Sequence, residues 1–132
     1  MAFVHGKTAY FKVNSTDLSG YCEEVSLPRS IETAETTTFG KSAKTYITGL
    51  TDATISASGK WDSTADGVIA PLLGSASLVT WEVGPAGSGT GAIKYSGSAI
   101  ITSYEVSAPV GDAITFSLEL QVSDTITRGT YA

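Results

Sequence analysis

The chain has 132 residues, 42% apolar and only 16% charged, with a formal net charge of −5; this fits one packed domain and excludes a disordered chain. Its cations, Lys7, Lys12, Arg29, Lys41, Lys44, Lys60, Lys94 and Arg128, are scattered and form no basic stripe for phosphate-neutralising nucleic-acid binding. One cysteine, Cys22, excludes an internal disulfide framework, and together with the one histidine, His5, it falls short of a zinc ligand set.

Ser (17) and Thr (18) exceed a quarter of the chain, and Val, Ile, Thr and the aromatics supply 48 strand-favouring residues beside 14 Gly for turns. That balance predicts an all-β domain. Residues 1–7 show no leader pattern, and no apolar run reaches the roughly 18 residues of a membrane span.

Residues 8–13 alternate, with Ala9, Phe11 and Val13 on one side and Thr8, Tyr10 and Lys12 on the other, which predicts a strand. Asn14, Ser15, Thr16 and Asp17 are a cluster of turn formers; with no secretory leader, their Asn-x-Thr pattern reads as a turn and not as a glycosylation site. In 21–31, Val25, Leu27 and Ile31 share one side, and Pro28, which lacks an N–H, predicts an edge or a bulge. Residues 32–38 are polar, 39–44 read as an exposed loop with one aromatic, and extended structure resumes over 45–48. In 51–61, Ala53, Ile55, Ala57, Gly59 and Trp61 face one way, and Asp52, Thr54, Ser56, Ser58 and Lys60 the other. The small residues before Trp61 predict close approach by another element.

Residues 62–74 hold the one helix candidate. Asp62, Ser63 or Thr64 caps it, Val68, Ile69, Leu72 and Leu73 form its apolar stripe, Gly74 closes it, and Pro71 makes it short or kinked. Residues 78–83 form a strand with Val79, Trp81 and Val83 opposite Leu78, Thr80 and Glu82. GPAGSGTG (84–91) is a flexible connection, 92–106 a long strand bent near Gly97, and 109–112 a turn. In 113–123, Ile114, Phe116, Leu118, Leu120 and Val122 face the core while Thr115, Ser117, Glu119 and Gln121 face away. The predicted architecture is a β-sandwich or barrel with one short flanking helix.

The last two strands should pair as a hairpin. Keeping Tyr104 and Val106 on the face of Ile114 and Phe116 sets Tyr104 opposite Phe116, Thr102 opposite Leu118 and Ile100 opposite Leu120. On the reverse face Glu105 meets Thr115, Ser103 meets Ser117 and Ile101 meets Glu119. That face is acidic and short-side-chained, without Lys or Arg. It is either ordinary solvated surface or a surface with a reason to be acidic.

Motifs for chemistry are weak. GSGTG (87–91) lacks the Lys-Ser/Thr and the helix of a phosphate loop. Glu23 and Glu24 are adjacent, so in a strand they point to opposite faces and do not form a glycosidase pair. His5 has no nucleophile elbow beside it, and Cys22 reads as a small strand residue. Trp61 and Trp81 lie on apolar faces and read as core; exposure of either would favour the alternative of a carbohydrate-binding module. No catalytic residue, cofactor or metal is expected, so the chain reads as a non-enzyme that works by shape and surface.

Three stretches together resemble phage tail tube proteins, above all the major tail proteins of long, non-contractile-tailed phages. They are STDLSGYCEEVSLPRSIETAETTTFGKSAKTYITGL (15–50), SGKWDSTADGVIAPLLG (58–74) and PVGDAITFSLELQVSDTITRG (109–129). The likeness lies in spacing and character, covers most of the chain, and extends to type VI secretion tubes. It implies a single tail tube domain over 1–132 with an N-terminal arm (1–7). It also implies hexameric rings that extend one another's inner sheets and stack into a hollow tube in the virion tail, assembled in the host cytoplasm. The loop at 36–48, with Phe39, Gly40, Lys41, Lys44 and Tyr46, would bridge subunits and rings. The bore would conduct DNA without binding it. An acidic lumen made by Glu105, Glu119, Ser103, Thr115, Ser117 and Gln121 would let the genome slide. Implied partners are further copies of the chain and tape measure, terminator and distal tail proteins, with no membrane; a terminator or completion ring is the structural alternative.

Overall fold

The computed structural model describes residues 5–73 and 78–132; most of the expected N-terminal arm (1–4) and the helix-closing Gly74 lie outside them. Gly6–Thr8 form a 3-10 turn, in which His5 Nδ1 accepts the Lys7 N–H at 3.1 Å. The first strand, β1 (Tyr10–Val13), therefore starts later than expected and leaves Ala9 exposed. β1 and β2 (Thr16–Asp17) form a tight hairpin over Asn14 and Ser15, both left-handed at φ 49° and 76°. A two-residue turn between right-twisted strands needs that geometry.

β3 (Cys22–Ser26) and β4 (Arg29–Glu35) both pair antiparallel with β5 (Tyr46–Lys60). They are in effect one strand broken at Leu27 and Pro28, where the Pro28 carbonyl accepts the Thr54 N–H at 3.3 Å. The interruption expected at Pro28 is there. The close approach expected near Trp61 falls at Gly59, where a Cβ would lie 2.0 Å from the Tyr21 carbonyl oxygen.

The helix α1 (Ser63–Ile69) is capped by Asp62, whose carboxylate accepts the Thr64 N–H at 3.0 Å, and runs into a 3-10 turn, Ala70–Leu72. Pro71 falls at the start of that turn, where a missing N–H removes no bond. The buried stripe is narrower than expected: Ala65 and Ile69 are buried, Val68 and Leu72 half-buried, and Leu73 exposed. Seven residues make only two turns, so the face turned to the sheet carries few side chains.

β6 (Val79–Gly84), β7 (Ile93–Ser107) and β8 (Thr115–Thr130) complete an all-antiparallel sheet in the order β2-β1-β6-β7-β8-β5-β3, with β4 continuing beside β5. The sheet curls on itself, because side chains from its distant strands share one core: Phe11, Val13, Ile55, Trp81, Ile101, Leu118 and Leu120 are all buried in it. Leu18, just after β2, is fully buried in the same core, its N–H bonded to the Phe11 carbonyl at 2.8 Å. The predicted all-β class with one short flanking helix is the architecture found.

Two irregularities in the β7–β8 pairing, one in each strand, correct the expected hairpin. Near the turn, Tyr104 faces Leu118, Val106 faces Phe116, Glu105 faces Ser117 and Ser103 faces Glu119. This is a slip of two residues, which keeps every side chain on its expected face. A bulge at Thr102 then adds one residue and reverses the alternation, so Ile101 opposes Leu120 and is buried while Ile100 opposes Gln121 and is exposed. The expected sides of these two isoleucines are exchanged. The second bulge sits at Gly97, the predicted bend. There Asp124, at φ 72°, lies in the looped-out part of β8, and a Cβ on Gly97 would meet the Thr125 carbonyl oxygen at 3.2 Å. Past it, β8 runs on to Thr130, well beyond the expected end at Ser123. Ile114, expected in the core, is exposed because the strand begins after it; its carbonyl instead accepts the Trp61 N–H at 2.9 Å.

Candidate assembly surfaces

Opposed residues of an antiparallel pair share a face, so the registers give the outward face of β3, β5, β8 and β7 row by row. Glu24, Ser58, Ser117 and Glu105 form one row; Ser26, Ser56, Glu119 and Ser103 form the next; Lys60, Thr115 and Ser107 form a third. Gln121 continues the face beside Thr54 and Ile100. The structure thus gathers Glu105, Glu119, Ser103, Thr115, Ser117 and Gln121 on one outward surface. The hairpin strands bring no cation to it, but β5 brings Lys60, whose Nζ lies 3.1 Å from Glu23 Oε1. Glu23 is the extra residue of a bulge in β3, so Glu23 and Glu24 lie on the same side and not on the opposite faces expected of a regular strand.

Two strand edges of this four-stranded portion have no backbone partner among the described residues. β6 pairs with β7 only as far as Ala99, so 100–107 bonds only to β8. On the far side, β3 bonds only to β5. The four strands alternate in direction, and the free edges lie on opposite sides of the portion.

β4 and residues 46–53 of β5 project as a two-stranded ribbon, because β8 first pairs with β5 at Thr54. All of β4 is exposed. The tip is closed by Thr36 N–H to the Thr45 carbonyl at 2.7 Å and Thr45 N–H to Thr37 Oγ1 at 2.9 Å. Phe39, Gly40, Lys41 and Lys44 lie in this tip, as expected; Tyr46 is the first residue of β5 and so belongs to the ribbon and not to the loop. The ribbon also exposes Ile31, which the sequence reading set on one side with Val25 and Leu27, although only those two pack against the core, and it exposes Ile47 and Leu50, which that reading did not single out. Its base is fixed by Gln121 Nε2, which donates to Asp52 Oδ1 at 2.7 Å and to the Ala53 carbonyl at 3.0 Å.

The remaining polar groups serve packing. Trp81 is 1% exposed, and Trp61 packs against the same core. Trp61 Nε1 (3.3 Å) and the Tyr104 hydroxyl (2.7 Å) both donate to Asp66 Oδ1, which ties α1 to the end of the sheet. Burial first, then the bond to Asp66, pushes the Tyr104 hydroxyl up to about 12. Burial, with a smaller contribution from Asp17, pushes the Cys22 thiol up to about 11, and His5 is exposed. Among the described residues no group of three His, Cys, Asp or Glu side chains is placed to hold a metal ion, and no helix is long and apolar enough to cross a membrane.

Together these features define a class: a β-structural subunit with unpaired strand edges and a projecting ribbon. A family model described as phage tail tube protein matches residues 9–128, and the chain belongs to that family. It is a structural subunit of a tail tube. A similar chain occurs in the virion of a native gene transfer agent particle (TM-score 0.78, 16% identity, covering 96% of this chain and 98% of that one). Another occurs in the tail of an empty gene transfer agent particle refined with C6 symmetry (TM-score 0.75, 15% identity, 97% and 100% covered). The SPP1 tail tube protein is also similar (TM-score 0.76, 13% identity, 96% and 79% covered). At these identities the likeness is one of fold. Comparison with curated proteins gave no match.

Proposed function

We propose that copies of this chain join edge to edge into closed rings, that the rings stack into a hollow tube, and that the acidic face lines the bore through which DNA passes. One observation carries the reading: a four-stranded portion with a free edge on each side. Pairing β3 of one copy with residues 100–107 of the next is a heterologous contact, and such a contact closes into a ring when the rotation permits. Because strand direction alternates across the portion, each seam is antiparallel like the pairs within a copy. Closure leaves no exposed edge. Six copies per ring are supported by the C6 symmetry of the gene transfer agent tail.

In such a ring the outward face becomes the inner wall. Glu24, Glu105 and Glu119 then repeat around the bore among Ser103, Thr115, Ser117 and Gln121. Fixed negative charge repels phosphates, so no ring holds the genome back. The tube belongs to the virion tail, assembles in the host cytoplasm, and meets tape measure, terminator and distal tail proteins along its length and at its ends.

Negative-stain microscopy of the purified chain over a concentration series tests the reading. Stacked annuli are expected. Single rings that never stack would point to a terminator, and a chain solitary at every concentration would refute self-assembly. Glu105→Lys with Glu119→Lys should leave tubes intact and slow DNA ejection; unchanged ejection would remove the acidic face from the bore.

A further inference from the structure

We propose that Asp66 is a positioning residue for the joining edge: through the Tyr104 hydroxyl it holds residues 100–107 of β7 in the plane of the sheet, ready to pair. This rests on the self-assembly reading above, in which that stretch is one side of the seam. The stretch needs holding. Up to Ala99, β7 is bonded on both sides; from Ile100 on it is bonded only to β8. The bulge at Thr102 interrupts even that ladder. An edge strand with a break in its ladder twists away from its sheet more readily than a strand paired on both sides.

Packing fades along the same stretch. Ile101 is 3% exposed, Tyr104 half-buried and Val106 46% exposed. Thr102 Oγ1 donates to the Glu119 carbonyl at 3.3 Å and mends the bulge locally. Beyond it, among the described residues, the one side-chain hydrogen bond of 103–107 is made by the Tyr104 hydroxyl, which donates to Asp66 Oδ1 at 2.7 Å. The Tyr104 ring also packs beside Phe116, with ring centres 6.4 Å apart. Tyr104 pinned on the core side keeps its neighbours Ser103 and Glu105 on the outward surface.

Asp66 is itself anchored. Its N–H donates to the Asp62 carbonyl at 3.0 Å in the first turn of α1, and Ala65 and Ile69 of the same helix are buried in the core. The same Oδ1 accepts Trp61 Nε1 at 3.3 Å, and the Trp61 N–H reaches the Ile114 carbonyl just before β8. The carboxylate therefore connects the free edge to the end of β5 and the start of β8. Neither ion pair among the described residues involves Asp66, so its carboxylate serves these two donors. The helix does not need Tyr104 to stay in place, because Ala65, Ile69 and the Trp61 bond already hold it. The edge past the bulge has no other side-chain bond, so the dependence runs from helix to strand. An edge held in its joining geometry loses less freedom on pairing, and that favours association.

The test pairs amide hydrogen exchange with assembly. In the dilute free subunit, Tyr104→Phe should speed exchange at the β8-bonded amides of 100–107 by about tenfold and leave β1, β6 and α1 unchanged. It should also raise the concentration for half-assembly by about fivefold. Asp66→Asn keeps an acceptor oxygen and should stay within about twofold of wild type on both readouts. Asp66→Ala should match Tyr104→Phe. Exchange that rises evenly over the whole chain, exchange that does not change, or a Tyr104→Phe chain that assembles at the wild-type concentration would each overturn the positioning role and leave the tube reading standing. A wild-type chain that forms no rings would instead refute the tube reading, while exchange in the free subunit would still decide whether Asp66 holds the edge.

Discussion

Replacing Gly59 by Ala tests how tightly the β3–β5 contact is closed. The new Cβ would lie 2.0 Å from the Tyr21 carbonyl oxygen, 2.7 Å from Cys22 Cα and 2.9 Å from the Tyr21 carbonyl carbon. All three are backbone atoms, so no rotamer change relieves the overlap. The start of β3 must shift by about 1 Å or more to reach ordinary contact, which strains the Lys60 N–H bond to the Tyr21 carbonyl, 2.9 Å long. Overpacking costs about 1–3 kcal/mol and a lost hydrogen bond about 1 kcal/mol, so about 2–4 kcal/mol is expected. For a chain of this length, 1 kcal/mol moves Tm by about 3–4 °C, which makes the expected drop about 7–15 °C. Circular dichroism melting of the free subunit, kept dilute enough not to assemble, measures it. Gly67→Ala is the control: nothing lies within 4 Å of its Cβ, and it sits inside α1, where Ala is favoured over Gly by about 1 kcal/mol. A Gly59→Ala subunit that melts within about 2 °C of wild type would refute the close approach.

The subunit should lose stability in alkali. Tyr104 and Tyr131 are both pushed up to about 12, chiefly by burial, so their contribution is complete below the ordinary tyrosine value near 10 and is lost as pH rises through about 12. Urea midpoints between pH 8 and 12 should fall in that window, and Tyr104→Phe with Tyr131→Phe should flatten the fall. Asp62→Ala removes the helix cap and should cost about 0.5–2 kcal/mol in denaturant unfolding; no change would mean that α1 is held by packing alone. Glu24→Gln with Glu105→Gln should speed ring formation at about 10 mM salt, where charges act over about 30 Å, and lose that advantage near 1 M, where they act over about 3 Å. Equal rates at low salt would place the seam elsewhere.

Much of the fold was legible because one face of most strands is buried, and burial imposes a period of two. Phe11 and Val13, Ala53 to Gly59, Val79 to Val83 and Phe116 to Val122 all read correctly on that signal. The outward face was legible for the same reason, since a slip of two residues in the β7–β8 register changes partners but not sides. The bulge at Thr102 was not. Ile100, Ile101 and Thr102 are all strand formers, so either isoleucine fits beside Leu120 and the sequence does not say which. The far end of β8 was missed because 124–130 is polar and alternates weakly, and its pairing with β7 is what makes it a strand. The ribbon was not read as a pair of strands, only as an edge segment to 31, a polar stretch over 32–38, a loop over 39–44 and extended structure over 45–48, because both its faces meet solvent. With no buried side there is no period: Ile31 was set with Val25 and Leu27, and Ile47 and Leu50 look like scattered apolar residues until the strands around them are in place.

In the proposed ring the two free edges must reject wrong partners as well as join right ones. An unpaired edge accepts any strand of suitable direction, since backbone N–H and C=O groups carry no sequence information. Both edges here are interrupted by a bulge, and both are acidic: Glu23 and Glu24 on β3, Glu105 on β7. Lys60, the cation nearest them on that face, is already engaged by Glu23. Any edge-to-edge meeting, correct or not, therefore starts against like charge. In the proposed ring, what distinguishes the correct meeting must therefore lie outside the seam, and the ribbon, whose tip carries Lys41 and Lys44 and no acid over 36–45, is a projecting element that starts without that like charge. On that reading backbone pairing, indifferent by itself, holds the edges once they have met. On the same reading the subunit resists indiscriminate pairing while dilute.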